Sequence, residues 1–222
     1  MLLAIDTASR FLSLALHDGN QILFESSWYT ANNHTIELSP AIRQAIKQAQ
    51  FRPADLTAVA VSQGPGSFTG LRIGLSVAKG LAAAAGLVLV AVPTLDILAA
   101  SVPALGGSLI AVLLAGRGRI CAQHYTWQGT SWVAQGQADI VSWEKLVQSI
   151  DHETLIVGEV DEPGRELLTA NSGLVHLLPG THNLRRAGFL AEIAWGRIRN
   201  GSTDDPASVT PIYLHQPGVP HP

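Results

Sequence analysis

The sequence predicts an α/β protein with mixed sheets, organised as two lobes. Short apolar segments of strand length come first and amphipathic helices follow, and this order occurs twice along the 222 residues. A Pro/Gly/Ser cluster at residues 103–108, PALGGS, separates the two occurrences. We therefore expect an N-terminal lobe over residues 1–105 and a smaller C-terminal lobe over residues 106–222, which ends in a long helix and a short tail.

The first lobe opens with a three-stranded meander. The polar turn Thr7–Arg10 joins the first two strands, and Asp18–Asn20 joins the second to the third. From Thr35 onward apolar positions recur at helical spacing, with Pro40 near the start of that helix. The predicted elements are strands at 2–5, 12–16 and 21–28, a helix at 35–49, a strand at 56–61, a helix at 67–85, a strand at 87–92 and a helix at 94–102.

The second lobe repeats the same pattern at a constant offset of 107 residues. Ala4 and Ile5 correspond to Ala111 and Val112, and in both places a strand, an arginine-containing turn and a second strand follow one another. This indicates a duplicated hairpin unit. The remaining elements are predicted as strands at 110–114, 120–126 and 155–157 and helices at 142–149, 163–170 and 183–200, followed by a frayed tail, HQPGVPHP.

Composition and charge exclude several classes of function. The net charge of −3 and a pI near 6.2 are unlike those of a free-standing nucleic-acid binder. A single cysteine, Cys121, has no partner for an internal disulfide, which favours a reducing, cytoplasmic location. The N-terminus lacks a basic region, and the longest apolar run, residues 81–92, is too short to cross a bilayer, so we expect no membrane contact.

A glycine-rich stretch at residues 62–80, SQGPGSFTGLRIGLSVAKG, links a predicted strand to a predicted helix. Such a turn is able to present backbone N–H groups to a phosphate. However, Lys79 lies well inside the helix, and the spacing of the glycines matches neither a P-loop nor the G-x-G-x-x-G fingerprint. Ser67 is better placed as an N-cap of this helix than as a nucleophile, because no G-x-S-x-G motif surrounds it.

The helix itself carries a stripe of small residues, Gly70, Gly74, Ala78 and Ala82, one every fourth position. Glycine inside a helix costs about 1 kcal/mol relative to alanine, so two of them a turn apart indicate that something approaches the backbone closely. Another helix is the simplest candidate, from this chain or from a second one. We predict that Gly74→Leu, by filling the stripe, abolishes association and leaves the fold largely intact.

This motif, together with the N-terminal LLAIDTAS and the late Pro211-Ile-Tyr-Leu214, resembles the TsaB (YeaZ) family of the glycoprotease-like (peptidase M22) group. The resemblance implies an actin, sugar kinase and Hsp70 type of fold with a reduced second lobe. It also implies a non-catalytic subunit of the bacterial machinery that makes N6-threonylcarbamoyladenosine at tRNA position 37. The implied partners are a TsaD-like catalytic paralogue and a TsaE-like ATPase, with a homodimer when alone and tRNA only through the complex.

In that family the helix after the glycine turn forms a helical-bundle interface. Carried onto this chain, the interface residues are Pro65, Gly66, Ser67, Phe68, Thr69, Gly70, Arg72, Ile73, Gly74, Val77 and Ala78.

The catalytic residues of the TsaD-like enzymes are not matched. Their metal-binding H-x-x-x-H pair corresponds here to His34 and Leu38, so we expect no metal, no cofactor and no catalytic residue in this chain. Asp6 and Thr7 resemble the first nucleotide-binding hairpin of actin-like ATPases and are predicted as a vestigial site. The repeat places Leu113 opposite Asp6, and the turn Ala115–Arg119 contains no carboxylate.

Three functions remain open from the sequence: a docking subunit, an actin-like ATP-dependent transferase or kinase that uses Asp6, and a homodimeric regulator. Asp6 is equally well explained as a brace of the Thr7–Ser9 turn. Cys121, between apolar neighbours, is predicted to be a buried, inert thiol.

Overall fold

The computed structural model describes residues 1–31, 33–103 and 107–214. The chain divides into two compact units, one formed by Met1–Ile97 and Arg185–Ile212 and the other by the described residues of Leu98–Leu184 together with Tyr213 and Leu214. The predicted boundary at residues 105 and 106 and the tail from His215 lie outside the described residues. The last helix belongs to the first unit, whereas the sequence-based division assigned it to the C-terminal lobe.

Ten strands and six α-helices follow one another in the described residues. In chain order they are β1 Leu2–Asp6, β2 Phe11–His17, β3 Ile22–Tyr29, α1 His34–Gln48, β4 Ala58–Gly64, α2 Phe68–Ala85, β5 Val88–Pro93, α3 Thr94–Ala100, β6 Ser108–Gly116, β7 Arg119–Trp127, β8 Trp132–Ser142, α4 Trp143–Gln148, β9 Thr154–Gly158, α5 Glu162–Ala170, β10 Val175–Leu177 and α6 Ala187–Arg199. The predicted α/β class is confirmed.

The first unit is a sheet covered by helices on both faces. Its strand order is β3-β2-β1-β4-β5, in which β1, β2 and β3 are antiparallel and β4 and β5 run parallel to β1. Leu3 and Ile5 of β1 face the core shared with α1 and α2, and Leu2 and Ala4 face the core shared with α6. The apolar β1 is therefore buried on both sides, as expected for a strand between two helical layers.

The second unit repeats this topology. Its order is β10-β9-β6-β7-β8, with β6, β7 and β8 antiparallel and β9 and β10 parallel to β6. The duplication inferred from the hairpin thus extends over a whole five-stranded unit. The two hairpins differ at the turn: residues 7–10 separate β1 from β2, whereas only Arg117 and Gly118, both with positive φ, separate β6 from β7.

Two strands were missed in the sequence. β8 lies at an edge of its sheet, and none of its residues is fully buried, so its apolar residues do not recur with the period used to find strands. β10 has only three residues. The last helix begins at Ala187 rather than at residue 183. None of the described helices has the length and apolar character of a membrane span.

Candidate functional site

The glycine-rich motif forms the turn between β4 and α2. Ser67 caps the helix, since its Oγ accepts a 3.3 Å hydrogen bond from the Gly70 N–H, as predicted. Gly64 has φ of 115°, and a β-carbon there would lie 2.5 Å from the carbonyl oxygen of Ile212. The turn therefore packs under the segment that follows α6, whose Ile212 N–H donates a 2.8 Å hydrogen bond to the Gln63 carbonyl.

The small-residue stripe of α2 receives the β1–β2 turn of the same chain. A β-carbon at Gly66 would come closer than 3.0 Å to Ala8, and one at Gly70 or Gly74 would do the same to Thr7. Real Cβ atoms essentially never show such separations. The close approach that the glycines permit is thus made by a turn, not by a helix.

This placement corrects two expectations. Gly70, Gly74 and Ala78 are buried inside the first unit, so a partner helix has no access to them. Gly74→Leu was expected to spare the fold, and this is wrong, because the new side chain would displace Thr7. The spacing of the glycines correctly indicated a close backbone approach, but it held no information on what approaches.

The β1–β2 turn also contacts the first turns of both α1 and α2. The backbone N–H of Ser67 donates to the Ala8 carbonyl at 2.7 Å, and Thr7 Oγ1 donates to the Gly70 carbonyl at 2.8 Å. On the other side His34 Nε2 lies 2.9 Å from the Ser9 carbonyl, and since a carbonyl only accepts, this nitrogen carries the proton. Hydrogen bonds from one turn thereby hold the N-terminal ends of both α1 and α2 in position.

Asp6 and Thr7, predicted as a vestigial nucleotide site, both have structural partners. Asp6 Oδ1 accepts the Ala8 N–H at 2.8 Å, which is the brace of the turn considered from the sequence. Asp6 Oδ2 lies 3.1 Å from Arg185 Nε, and the two side chains are 1% and 3% exposed. A divalent cation at this carboxylate would meet the guanidinium charge, so these residues do not fit a metal-bound nucleotide.

Arg185 belongs to a network that the sequence analysis missed entirely. The residues that begin α6 are held by all three strands of the meander: Arg185 by Asp6, the Ala187 N–H by Ser13 Oγ at 2.8 Å, and the Gly188 N–H by Glu25 Oε1 at 2.7 Å. The only local signal was the Arg-Arg pair that precedes the helix, which does not reveal partners more than 160 residues away.

The exposed part of the predicted interface lies on the outward side of α2. Phe68 is 52% exposed, and the Arg72 guanidinium stacks on its ring at 3.8 Å. Gly66, Ser67 and Thr69 are also exposed, while Pro65, Ile73 and Val77 are partly buried. These residues, unlike the buried stripe, are open to a second molecule.

Further exposed apolar side chains lie at the end of β3 and at the start of α1. Tyr29, at the end of β3, is 56% exposed, and Ile36, in the first turn of α1, is 74% exposed. Both line a groove of about 830 Å³ between β3 and α1. Phe11 contacts Tyr29 edge to face, with ring centroids 5.6 Å apart. Since such residues are costly to leave in water together, this end of the helical layer has the character of a contact surface.

Cys121 and clusters of metal-ligating side chains are the remaining candidates for reactive chemistry. The predicted burial of Cys121 is confirmed, and burial together with the negative charge of Asp139 raises the pKa of its thiol to about 12. Within residues 1–31, 33–103 and 107–214, no cluster of three or more His, Cys, Asp or Glu side chains has the arrangement of a metal site.

Comparison with known proteins places these features in a family. The sequence matches the family model described as "TsaD: tRNA N6-adenosine threonylcarbamoyltransferase" over residues 28–160. It is 31% identical to the "tRNA threonylcarbamoyladenosine biosynthesis protein TsaB" of Escherichia coli, over 96% of this chain and 94% of that protein. The protein of the same name from Bacillus subtilis is 29% identical, over 71% of this chain and 70% of its own length.

The fold has a close counterpart among solved structures. "YeaZ from Pseudomonas aeruginosa" superimposes with a TM-score of 0.78 at 24% sequence identity, and the match covers 96% of this chain and 99% of that one. This likeness supports the two-unit mixed α/β architecture.

Proposed function

The chain belongs to the TsaB family of tRNA threonylcarbamoyladenosine biosynthesis proteins, and we propose that in this biosynthesis it is a non-catalytic subunit that docks a TsaD-like catalytic partner. The single observation that carries the proposal is the exposed apolar surface beside the N-terminal ends of α1 and α2. We call it the docking surface and define it by Phe68, Arg72, Ile73 and Val77 of α2 with Ile36 of α1.

The chemistry of this surface suits a protein partner. An aromatic ring with a stacked arginine is typical of the residues that dominate binding energy in interfaces. The half-buried Ile73 and Val77 add apolar area around it and belong to the edge of the core shared with α1. Because the β1–β2 turn bonds to the first turns of both α1 and α2, it fixes the N-terminal ends of the two helices that would present this surface to a partner.

Docking would activate the partner by population shift. A subunit that binds the competent conformation of an enzyme better than other conformations stabilises it by the difference in binding free energy.

The same exposed apolar side of α2 serves a second copy of the chain, so the chain alone forms a homodimer that exchanges into the heterodimer. A TsaE-like ATPase joins the assembly, and the net charge of −3 is consistent with tRNA held through the complex.

The alternative, an actin-like ATP-dependent transferase or kinase, would require Asp6 to face a metal-bound nucleotide. The pairing of Asp6 with Arg185 and the Leu113 that stands at the corresponding position of the second unit argue against it.

Sedimentation velocity tests the proposal. The chain is measured alone and mixed with the TsaD-like protein of the same organism, with and without ATP, and we expect a homodimer that gives way to a mixed dimer. Phe68→Asp should weaken both associations, because it places a charge at the centre of the docking surface. Leu174→Asp is the matched control, since Leu174 is a comparably exposed apolar residue of the other unit. The docking role is refuted if no mixed species forms at micromolar concentration.

A further inference from the structure

We propose that Arg185 is a permanent internal cation at Asp6 and that, through this carboxylate, it positions the β1–β2 turn, which bonds to the first turns of both docking helices. The docking surface would then be preformed without a metal ion or a nucleotide. This inference rests on the docking function proposed above, and it assigns a positioning role to a residue that lies outside the docking surface.

The first step is that Asp6 and Arg185 form a buried ion pair. Asp6 Oδ2 accepts from Arg185 Nε at 3.1 Å, and both side chains are almost fully buried. A buried carboxylate without a counter-ion is strongly unfavourable, and removing one partner of such a pair costs far more than removing an exposed charge. The two buried side chains therefore stabilise each other as a pair.

The second step links Asp6 to the docking helices. Its other oxygen, Oδ1, accepts the Ala8 N–H at 2.8 Å and so shapes the turn. The carbonyl oxygen of Ala8 then accepts the Ser67 N–H at 2.7 Å, at the start of α2, and the carbonyl oxygen of the next residue, Ser9, accepts from His34 of α1. A continuous series of hydrogen bonds thus runs from Arg185 to the first turns of both helices.

The third step is the contrast with a nucleotide-dependent fold. In an actin-like ATPase the carboxylate of this hairpin would help to hold Mg²⁺, a cation that binds carboxylate oxygens together with water and substrate phosphates. Here both oxygens of Asp6 accept hydrogen bonds from the protein, and its charge is balanced by a guanidinium. The residue that would respond to a nucleotide is instead fixed in one geometry.

The fourth step is that α6 is expected to fold even without the Arg185 guanidinium. The helix start has its own anchors in Ser13 and Glu25, which accept the Ala187 and Gly188 N–H groups. Loss of the Arg185 guanidinium should consequently loosen the β1–β2 turn more than it loosens α6. This allows the positioning role to be tested in a chain that still folds.

The test compares Arg185→Gln with Arg197→Gln. Arg197 is the matched control, because it belongs to α6, bonds Asp204 at 3.0 Å and the Ala91 carbonyl at 2.8 Å, and makes no contact with the β1–β2 turn in the described residues. Amide hydrogen exchange at Ala8 and Ser67 is measured on each chain alone, and affinity for the TsaD-like partner is measured separately. For Arg185→Gln we expect exchange at least about tenfold faster and affinity at least about tenfold weaker, and for Arg197→Gln changes within about twofold.

A second measurement uses the native chain. Its thermal midpoint is recorded with millimolar Mg²⁺ alone and with Mg–ATP, beside the Asp6→Asn variant. We expect no shift of the native midpoint, because neither probe should bind at Asp6. A rise with Mg–ATP that Asp6→Asn removes would show that Asp6 ligates the metal, and the proposal would be overturned.

The remaining outcomes are equally decisive. Unchanged exchange at Ala8 and Ser67 in Arg185→Gln, or an equal loss of affinity in both arginine variants, contradicts a specific positioning role. If the native chain binds no partner, the docking function itself fails. The exchange measured on the isolated chain still decides whether Arg185 holds the turn, so the two failures are distinguishable.

Discussion

The side-chain hydroxyl of Thr7 donates a 2.8 Å hydrogen bond to the carbonyl oxygen of Gly70, 63 residues further along the chain. The contact is possible only because Gly70 and Gly74 have no side chains, and the β1–β2 turn therefore lies directly on the backbone of α2. The glycine stripe, for which the sequence left open a helix of this chain or of a second chain, is thus part of the internal support of the docking surface.

Gly74→Ala should destabilise the protein. The added methyl group would come closer than 3.0 Å to Thr7, and overpacking of this kind costs about 1–3 kcal/mol. Gly80→Ala is the control in the same helix, since no atom lies within 4 Å of a β-carbon there, and it should stabilise by up to about 1 kcal/mol. Urea unfolding measures both free energies, and equal effects would contradict the described packing of Thr7.

Thr7→Val should lower the free energy of unfolding by about 1–2 kcal/mol, because it removes the hydroxyl that bonds the Gly70 carbonyl and keeps nearly the same shape. Thr7→Ser retains the hydroxyl and should lose less. Denaturant unfolding of the two variants distinguishes the hydrogen bond from the packing of the methyl group. A Val variant as stable as the native chain would show that the bond contributes nothing.

Glu25→Ala should destabilise the start of α6. Its carboxylate accepts the Gly188 N–H at 2.7 Å and pairs with Arg186, so it acts as a distant N-cap, and we expect a loss of about 1–2 kcal/mol. Glu25→Gln preserves an acceptor and should lose only part of this. Amide exchange at Gly188 provides the local readout, and unchanged exchange in Glu25→Ala would refute the capping role.

The Cys121 thiol should resist alkylation at pH 8 in the native chain and react freely in urea. Its pKa, raised to about 12 by burial, leaves almost no thiolate in the folded state. Because the folded pKa lies above the unfolded value, this contribution to stability is complete below about pH 9 and is lost between about pH 9 and about pH 12, at up to about 1.4 kcal/mol per pH unit. Cys121→Ala should remove that slope, and rapid labelling of the native thiol would contradict its burial.

Local features of the chain were readable from sequence because their partners lie within a few residues. The cap formed by Ser67 and Gly70 spans three positions, and the apolar run of β1 and the period of α2 report burial directly. β8 escaped detection for the converse reason: as an edge strand it buries little, so its pattern carries no periodic signal.

The α/β class, the duplicated hairpins and the bounds of most elements were readable from the residues alone, and the glycine-rich motif indicated the family. The folded chain was needed to learn that Gly70 and Gly74 receive Thr7 and that Asp6 pairs with Arg185. The cause is the separation of these partners along the chain. Propensity and periodicity act over one or two helical turns, whereas these contacts join residues 63 to 179 positions apart, which only the folded chain brings together.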